Sequence, residues 1–108
     1  MAKWFLVVGA NCADAARESE LNEWYEKTHF PDVLETPGFV RATRYENIEP
    51  SEGEAKFLSI YEIETDDLDS FIKAHNDNMA RKRAEGRFID LSVRVSRGFY
   101  RQISSVSR

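Results

Sequence analysis

The sequence predicts an α+β domain in which four strands and two helices follow in the order β-α-β-β-α-β, both helices lying on one face of an antiparallel sheet. Three observations lead there. Apolar or alternating runs of strand length recur between turn residues. Two of the intervening segments repeat apolar residues at helical spacing. At 108 residues the chain has the size of one domain, spanning residues 1–108.

The elements follow in order. Trp4-Phe5-Leu6-Val7-Val8 is continuously apolar and closed by Gly9, which suits a buried central strand. Asn11 to Glu18 is a polar, alanine-rich connection. Ser19 can cap a helix running from Glu20 toward Phe30, with Leu21, Trp24, Tyr25 and Thr28 on one face. Pro31 breaks its hydrogen bonding, and Pro37-Gly38 ends the segment. Phe39 to Glu46 alternates as a half-buried strand, Glu49 to Glu54 is a turn tip, and Phe57 to Ile63 is the hairpin partner. Asp66 is placed to cap the second helix, whose apolar face is Leu68, Phe71, Ile72, His75 and Met79. Arg81-Lys82-Arg83 reads as its solvated C-terminus, where positive charge complements the helix dipole, and Gly86 stops it. Ile89 to Ile103 carries the last strand, with Gly98 as a bulge or bend.

This order is the split βαβ, or ferredoxin-like, arrangement. Two helices cover only one face of a four-stranded sheet. Phe57, Tyr61, Phe99 and Tyr100 cannot all point toward them. The other face needs cover too, and packing it against the same face of a second copy predicts a symmetric homodimer.

Composition narrows the function. With 42% hydrophobic and 31% charged residues the chain can fold on its own core, which excludes a disordered segment. A net charge of −4 without a basic stripe argues against nucleic acid. One cysteine, Cys12, leaves neither an internal disulfide nor a cysteine metal site, and Asp66, Asp67 and Asp69 read as a capping cluster. There is no Gly-rich phosphate loop, no nucleophile elbow and no mark of a nicotinamide or flavin site, so no cofactor is expected. No apolar run approaches the roughly 20 residues of a membrane span, and the N-terminus reads as a strand rather than a leader. Cytoplasm is the expected location, with no membrane partner.

The densest segment is Trp24-Tyr25-Glu26-Lys27-Thr28-His29-Phe30-Pro31-Asp32, followed by Pro37-Gly38-Phe39 and Arg44-Tyr45. It resembles the W-Y-x-x-x-H-x-P-D…P-G pattern of the dimeric α/β-barrel proteins, especially the EthD-like group and its uncharacterised relatives. The resemblance extends from Trp4 to about Ile103. It implies the fold and the dimer, and a superfamily that includes isomerases, polyketide cyclases, lyases and haem-degrading monooxygenases.

His29 sits at the edge of the first helix's apolar stripe, before Pro31, where an imidazole can exchange protons near neutral pH. It is the first candidate for a general acid or base; the competing role is to stabilise a proline kink. His75 lies at the centre of the second helix's apolar face, a place for a satisfied core histidine or for a pocket residue, and it can share a cavity with His29. Arg44 and Tyr45 are further catalytic candidates, since a guanidinium or phenol over a cavity can steady an enolate. Strand alternation sends the two to opposite faces, and an Arg44–Glu62 ion pair across the hairpin is the competing arrangement. Trp24, Phe30 and Tyr61 complete the substrate-contacting set with His75. The expected activity is cofactor-free proton transfer, of isomerase, lyase or cyclase type, on a small apolar or aromatic carbonyl compound. Two alternatives stand beside it: a cofactor-free or haem-dependent monooxygenase using His75, and a dimeric protein that binds a ligand without turning it over.

Overall fold

The computed structural model describes residues 1–108 and places four antiparallel strands in the order β2-β3-β1-β4. β1 is Ala2–Cys12, β2 Phe39–Glu46, β3 Phe57–Thr65 and β4 Ser92–Arg101. The molecule measures 42 × 40 × 21 Å, so it is a slab about two layers thick. Its radius of gyration of 14.6 Å exceeds the ~13 Å usual for a chain of this length. Both signs belong to a ferredoxin-like sheet with helices on one side only. No helix is long and apolar enough to cross a membrane.

The core lies between that sheet and the helices. Leu6 of β1 and Tyr61 and Ile63 of β3 meet Val33 of the first helix and Phe71 of the second. A smaller cluster joins Leu21 and Tyr25 to Leu91. Alternation puts Phe57, Ser59, Tyr61 and Ile63 under the helices, and Leu58, Ile60 and Glu62 on the other face. That other face also carries Tyr45 and Tyr100, 52% and 60% exposed, with nothing in the chain to cover them.

Several element boundaries differ from the sequence expectations. The first helix starts earlier than a Ser19 cap would set it. Asp14, in extended conformation, accepts from the Ala16 N–H at 3.0 Å and starts a 3₁₀ turn that passes into the α-helix at Glu18. The regular hydrogen bonding is broken next to Pro31, as expected, and the helix then continues to Val33. Residues 25–29 widen into a π-helical turn, and the Phe30 N–H donates five residues back to the Tyr25 carbonyl. A proline ring clashes with the carbonyl four residues before it in a regular α-helix; the wider turn just upstream makes room for Pro31.

The second helix, Leu68–Ala84, is capped by Asp67 rather than Asp66. The Asp67 carboxylate accepts from the Ser70 N–H at 3.1 Å, and the Thr65 hydroxyl accepts from the Asp67 N–H at 3.1 Å, fixing the entry. Gly38, at φ +111°, lies so close to Phe71 that a Cβ there would fall 2.8 Å from the ring. Only glycine allows β2 to start beneath the second helix.

β1 does not stop at Gly9; it runs on to Cys12. The irregularity expected at Gly98 is found instead farther along the pair. Gly9 faces Ser96 and Ala10 faces Arg94, leaving Val95 as the extra residue of a β-bulge. A Cβ on Gly9 would stand 2.6 Å from the Ser96 Oγ and 3.1 Å from the Ala55 Cβ, so a side chain there would make those neighbours shift.

Candidate active site

A cavity of about 560 Å³ opens between the two helices and the sheet. Its floor is Leu6, Val8 and Ala10 of β1 with Tyr61 of β3. Trp24, Tyr25 and His29 enter from the first helix, and His75, Met79 and Arg83 from the second. Phe88 and Ile89 close one side, and Ser92, Arg94 and Arg97 of β4 form another.

The π turn sets the position of His29. On a regular α-helix residues five apart point in directions about 140° from each other. Here Trp24 and His29 stack face to face, with ring centroids 4.5 Å apart and planes 13° from parallel. Tyr25 and Phe88 present edges to the same imidazole at 5.4 and 5.7 Å. Burial in this aromatic cage lowers the His29 pKa to about 4, opposed by the charge of Asp32 and assisted by that of His75. The ring is therefore neutral at pH 7 and can accept a proton.

His75 reaches the same cavity by plain periodicity and is only 6% exposed. Phe39 meets its ring edge to face at 5.3 Å, and its Nδ1 is buried without a hydrogen-bond partner. Burial first, then the positive charge of Arg97, lowers this pKa also to about 4. Tyr61 is buried and its hydroxyl is pushed up, which keeps the proton on the phenol. The wall around Phe88 is clasped twice. The Trp24 indole N–H donates to the Arg87 carbonyl at 3.0 Å, and the Arg87 guanidinium bonds both carboxylate oxygens of buried Asp32 at 2.7 and 3.0 Å. Asn78 donates to the Asp32 carbonyl at 2.9 Å, tying the second helix to the same point.

Of the candidates from sequence, His29, His75, Trp24 and Tyr61 come together here. The other three do not. Tyr45 faces away, on the bare side of the sheet, beside Leu58, Val95 and Ser96. Arg44 lies under the helices but behind the cavity wall, its guanidinium between the rings of Tyr25 at 4.2 Å and Phe57 at 4.3 Å and hydrogen-bonded to Asn22. It forms no pair with Glu62, which is met by Arg41 at 3.4 Å. Phe30 packs edge-on against Tyr25 and Tyr61, both at 5.5 Å, as support for the wall.

Sequence reasoning missed Tyr25, Phe88 and the arginines. Arg83 looked like part of a solvated helix end, yet it lines the cavity with its guanidinium 4.4 Å over the Phe88 ring. No group of three His, Cys, Asp or Glu is placed to hold a metal ion.

The chain belongs to the family described as Domain of unknown function (DUF4286), whose model matches residues 8–100. No curated protein matches it. Among solved structures it is similar to HapK from Hahella chejuensis, with TM-score 0.67 and 13% identity over 97% of each chain. It is similar to a mutant of SnoaB, a cofactor-independent oxygenase from Streptomyces nogalater, with TM-score 0.60 and 18% identity over 98% of each chain. An EthD-family protein from Bacillus halodurans aligns with TM-score 0.54 and 15% identity over 95% of this chain and 100% of that one. At these identities the likeness establishes the fold: ferredoxin-like, as in the EthD-like and related α/β-barrel proteins.

Proposed function

We propose that this member of the family is a cofactor-free enzyme that moves a proton on a small aromatic carbonyl compound, with His29 as the general base. The observation that carries this reading is the placing of two neutral imidazoles in one aromatic-walled cavity with no carboxylate among its lining residues. His29 is favoured over His75 because its charged form has compensation at hand. An imidazolium there would lie on the face of Trp24 and feel the charge of Asp32, whereas His75 faces the opposing charge of Arg97. In the reaction His29 takes the proton from the carbon beside the carbonyl, leaving an enolate and an imidazolium. The Tyr61 hydroxyl, still protonated, donates to the enolate oxygen. Return of the proton to a different carbon completes an isomerisation, whereas attack of the enolate carbon on a second carbonyl of the substrate, with the proton passing to the resulting alkoxide, completes a cyclisation.

Solvent deuterium tests this without knowledge of the product. Aromatic ketones incubated with the protein in D2O should gain deuterium at the carbon beside the carbonyl, as read by NMR. His29→Ala should slow that exchange by ~10²–10⁴-fold. Exchange at the same rate in the variant removes His29 from the mechanism.

A second reading draws on the unpartnered Nδ1 of His75 and on SnoaB, which is a cofactor-independent oxygenase: His75 would take a proton from a quinol or anthrone-like compound that then reacts with oxygen. Oxygen uptake with such a compound, abolished by His75→Ala, supports it. A haem-dependent version requires a shift of the haem absorption band on titration that His75→Ala removes. Ligand binding without exchange or uptake points to the non-catalytic alternative.

The same reading includes a homodimer. The bare sheet face presents Tyr45 and Tyr100 beside half-buried Phe5, Val7, Leu58 and Ile60, an apolar surface that water does not favour. Light scattering should give twice the chain mass of 12.5 kDa at micromolar concentration. A single-chain mass contradicts the dimer.

A further inference from the structure

The cavity carries a charge opposite to that of the chain. Net charge is −4, yet the lining contains Arg83, Arg94 and Arg97 and no Asp or Glu. Three of the seven arginines elsewhere find carboxylates: Arg17 pairs with Glu20, Arg41 with Glu62 and Arg87 with Asp32. None of the three in the cavity does. Arg83 and Arg97 rest on rings, Phe88 at 4.4 Å and Phe99 at 4.9 Å.

The bulge puts Arg94 and Arg97 side by side. Residues three apart on a regular strand point to opposite faces. With Val95 extra, Arg94 stands opposite Ala10 and Arg97 opposite Val8, both facing the helices. Two like charges are thus gathered at the solvent-exposed edge of the cavity with no counter-charge among its lining, and partial burial and Arg94 together weaken the hold of Arg97 on its proton. A ligand anion between them would remove that cost. Guanidinium groups are planar forks that match the two oxygens of a carboxylate. The rest of the cavity, Trp24, Tyr25, Tyr61 and Phe88 with Val8 and Met79, suits a flat apolar body.

We propose that the cavity takes an aromatic carboxylate, its ring system among Trp24, Tyr61 and Phe88 and its carboxylate on Arg94 and Arg97. This rests on the reading of the cavity as the ligand site and adds the class of ligand. It also narrows the expected substrate from a small aromatic carbonyl compound to one that carries a carboxylate as well.

Two probes of equal shape test it: 2-naphthoate, which is charged, and 2-naphthamide, which is neutral. Calorimetry on the natural chain should find the naphthoate bound about 10–100-fold more tightly, the range expected of charge-assisted hydrogen bonds. Raising salt should narrow that gap. In the Arg94→Gln/Arg97→Gln double variant the preference should shrink to within about threefold, whereas Arg101→Gln, on the same strand but outside the cavity, should keep it. Equal affinity for the two probes in the natural chain overturns the proposal whatever the variants do, and leaves the cavity as a site for neutral ligands. A preference that survives in the double variant overturns the assignment to these two arginines. If neither probe binds or changes Trp24 fluorescence, the cavity is not a ligand site, and the proposal falls with that reading.

Discussion

The two helices each deliver one histidine to the same cavity, by different means. The second is an unbroken 17-residue α-helix, and His75 lies where a repeat of apolar residues from Leu68 through Met79 puts it. The first is interrupted, and His29 reaches its place through a five-residue π turn whose irregularity proline tolerates or demands. A residue placed by periodicity is fixed by the whole helix. One placed by a local widening depends on a few bonds around it, here the Trp24 stack and the Asp32–Arg87 clasp. Such π turns are frequent at functional sites. The contrast agrees with His29 as the chemical group and His75 as the more structural one.

Acid should affect both helices, and it gives the largest expected change in stability. Burial holds both imidazoles at about 4, against 6.5 for the free group. Between those values the unfolded chain binds more protons than the folded one. Stability is therefore lost as pH falls from about 6.5 toward 4, by roughly 3 kcal/mol per imidazole. Urea midpoints across that window should show it, and His75→Phe should remove about half of the slope. A flat profile would mean that the two rings are not buried as described.

Asp32→Ala strikes the first helix alone. Loss of the bidentate pair should cost ~2 kcal/mol, moderated because the Arg87 side chain can turn to water, 44% of it being exposed already. Amide exchange should rise around Phe88 while the second helix stays protected. Equal loosening of both helices would blur the distinction. Pro31→Ala is the mildest change. It restores an N–H and should alter stability by no more than about 1 kcal/mol. It should also let the π turn tighten and shift the His29 ring resonances away from their stacked position. Unmoved resonances would show that the aromatic cage, and not proline, holds the turn open.

The regular parts of the molecule were legible from sequence. Element order, the β2–β3 hairpin and the apolar face of the second helix, with His75 on it, follow from period and alternation; Trp24, His29 and Tyr61 were named as candidates, but the π turn is what brings His29 onto Trp24. What could not be read lies at the irregularities. Alternation separates Arg44 from Tyr45 correctly but does not say which face holds the cavity, and neither residue lines it. The stretch Val93-Arg94-Val95-Ser96-Arg97 alternates only until the bulge, so its arginines gave no sign of sharing a face. The signals available were Gly98, which pointed to an irregularity on the right strand but three residues away, and Gly9, since a glycine inside a strand often marks a bulge or a close approach in the neighbour. Caps were misplaced by a few residues because Asp14 and Asp67 compete with equally good capping residues nearby.

The stack of Trp24 on His29 has a practical consequence. The indole is in van der Waals contact with the imidazole proposed to gain and lose a proton, and its N–H is anchored to the Arg87 carbonyl, so it cannot swing away without breaking the wall. The protein therefore contains its own optical gauge. Replacing Trp4, the other tryptophan, with phenylalanine would leave one emitter whose brightness follows occupancy and protonation of the chamber in real time, with no dye attached.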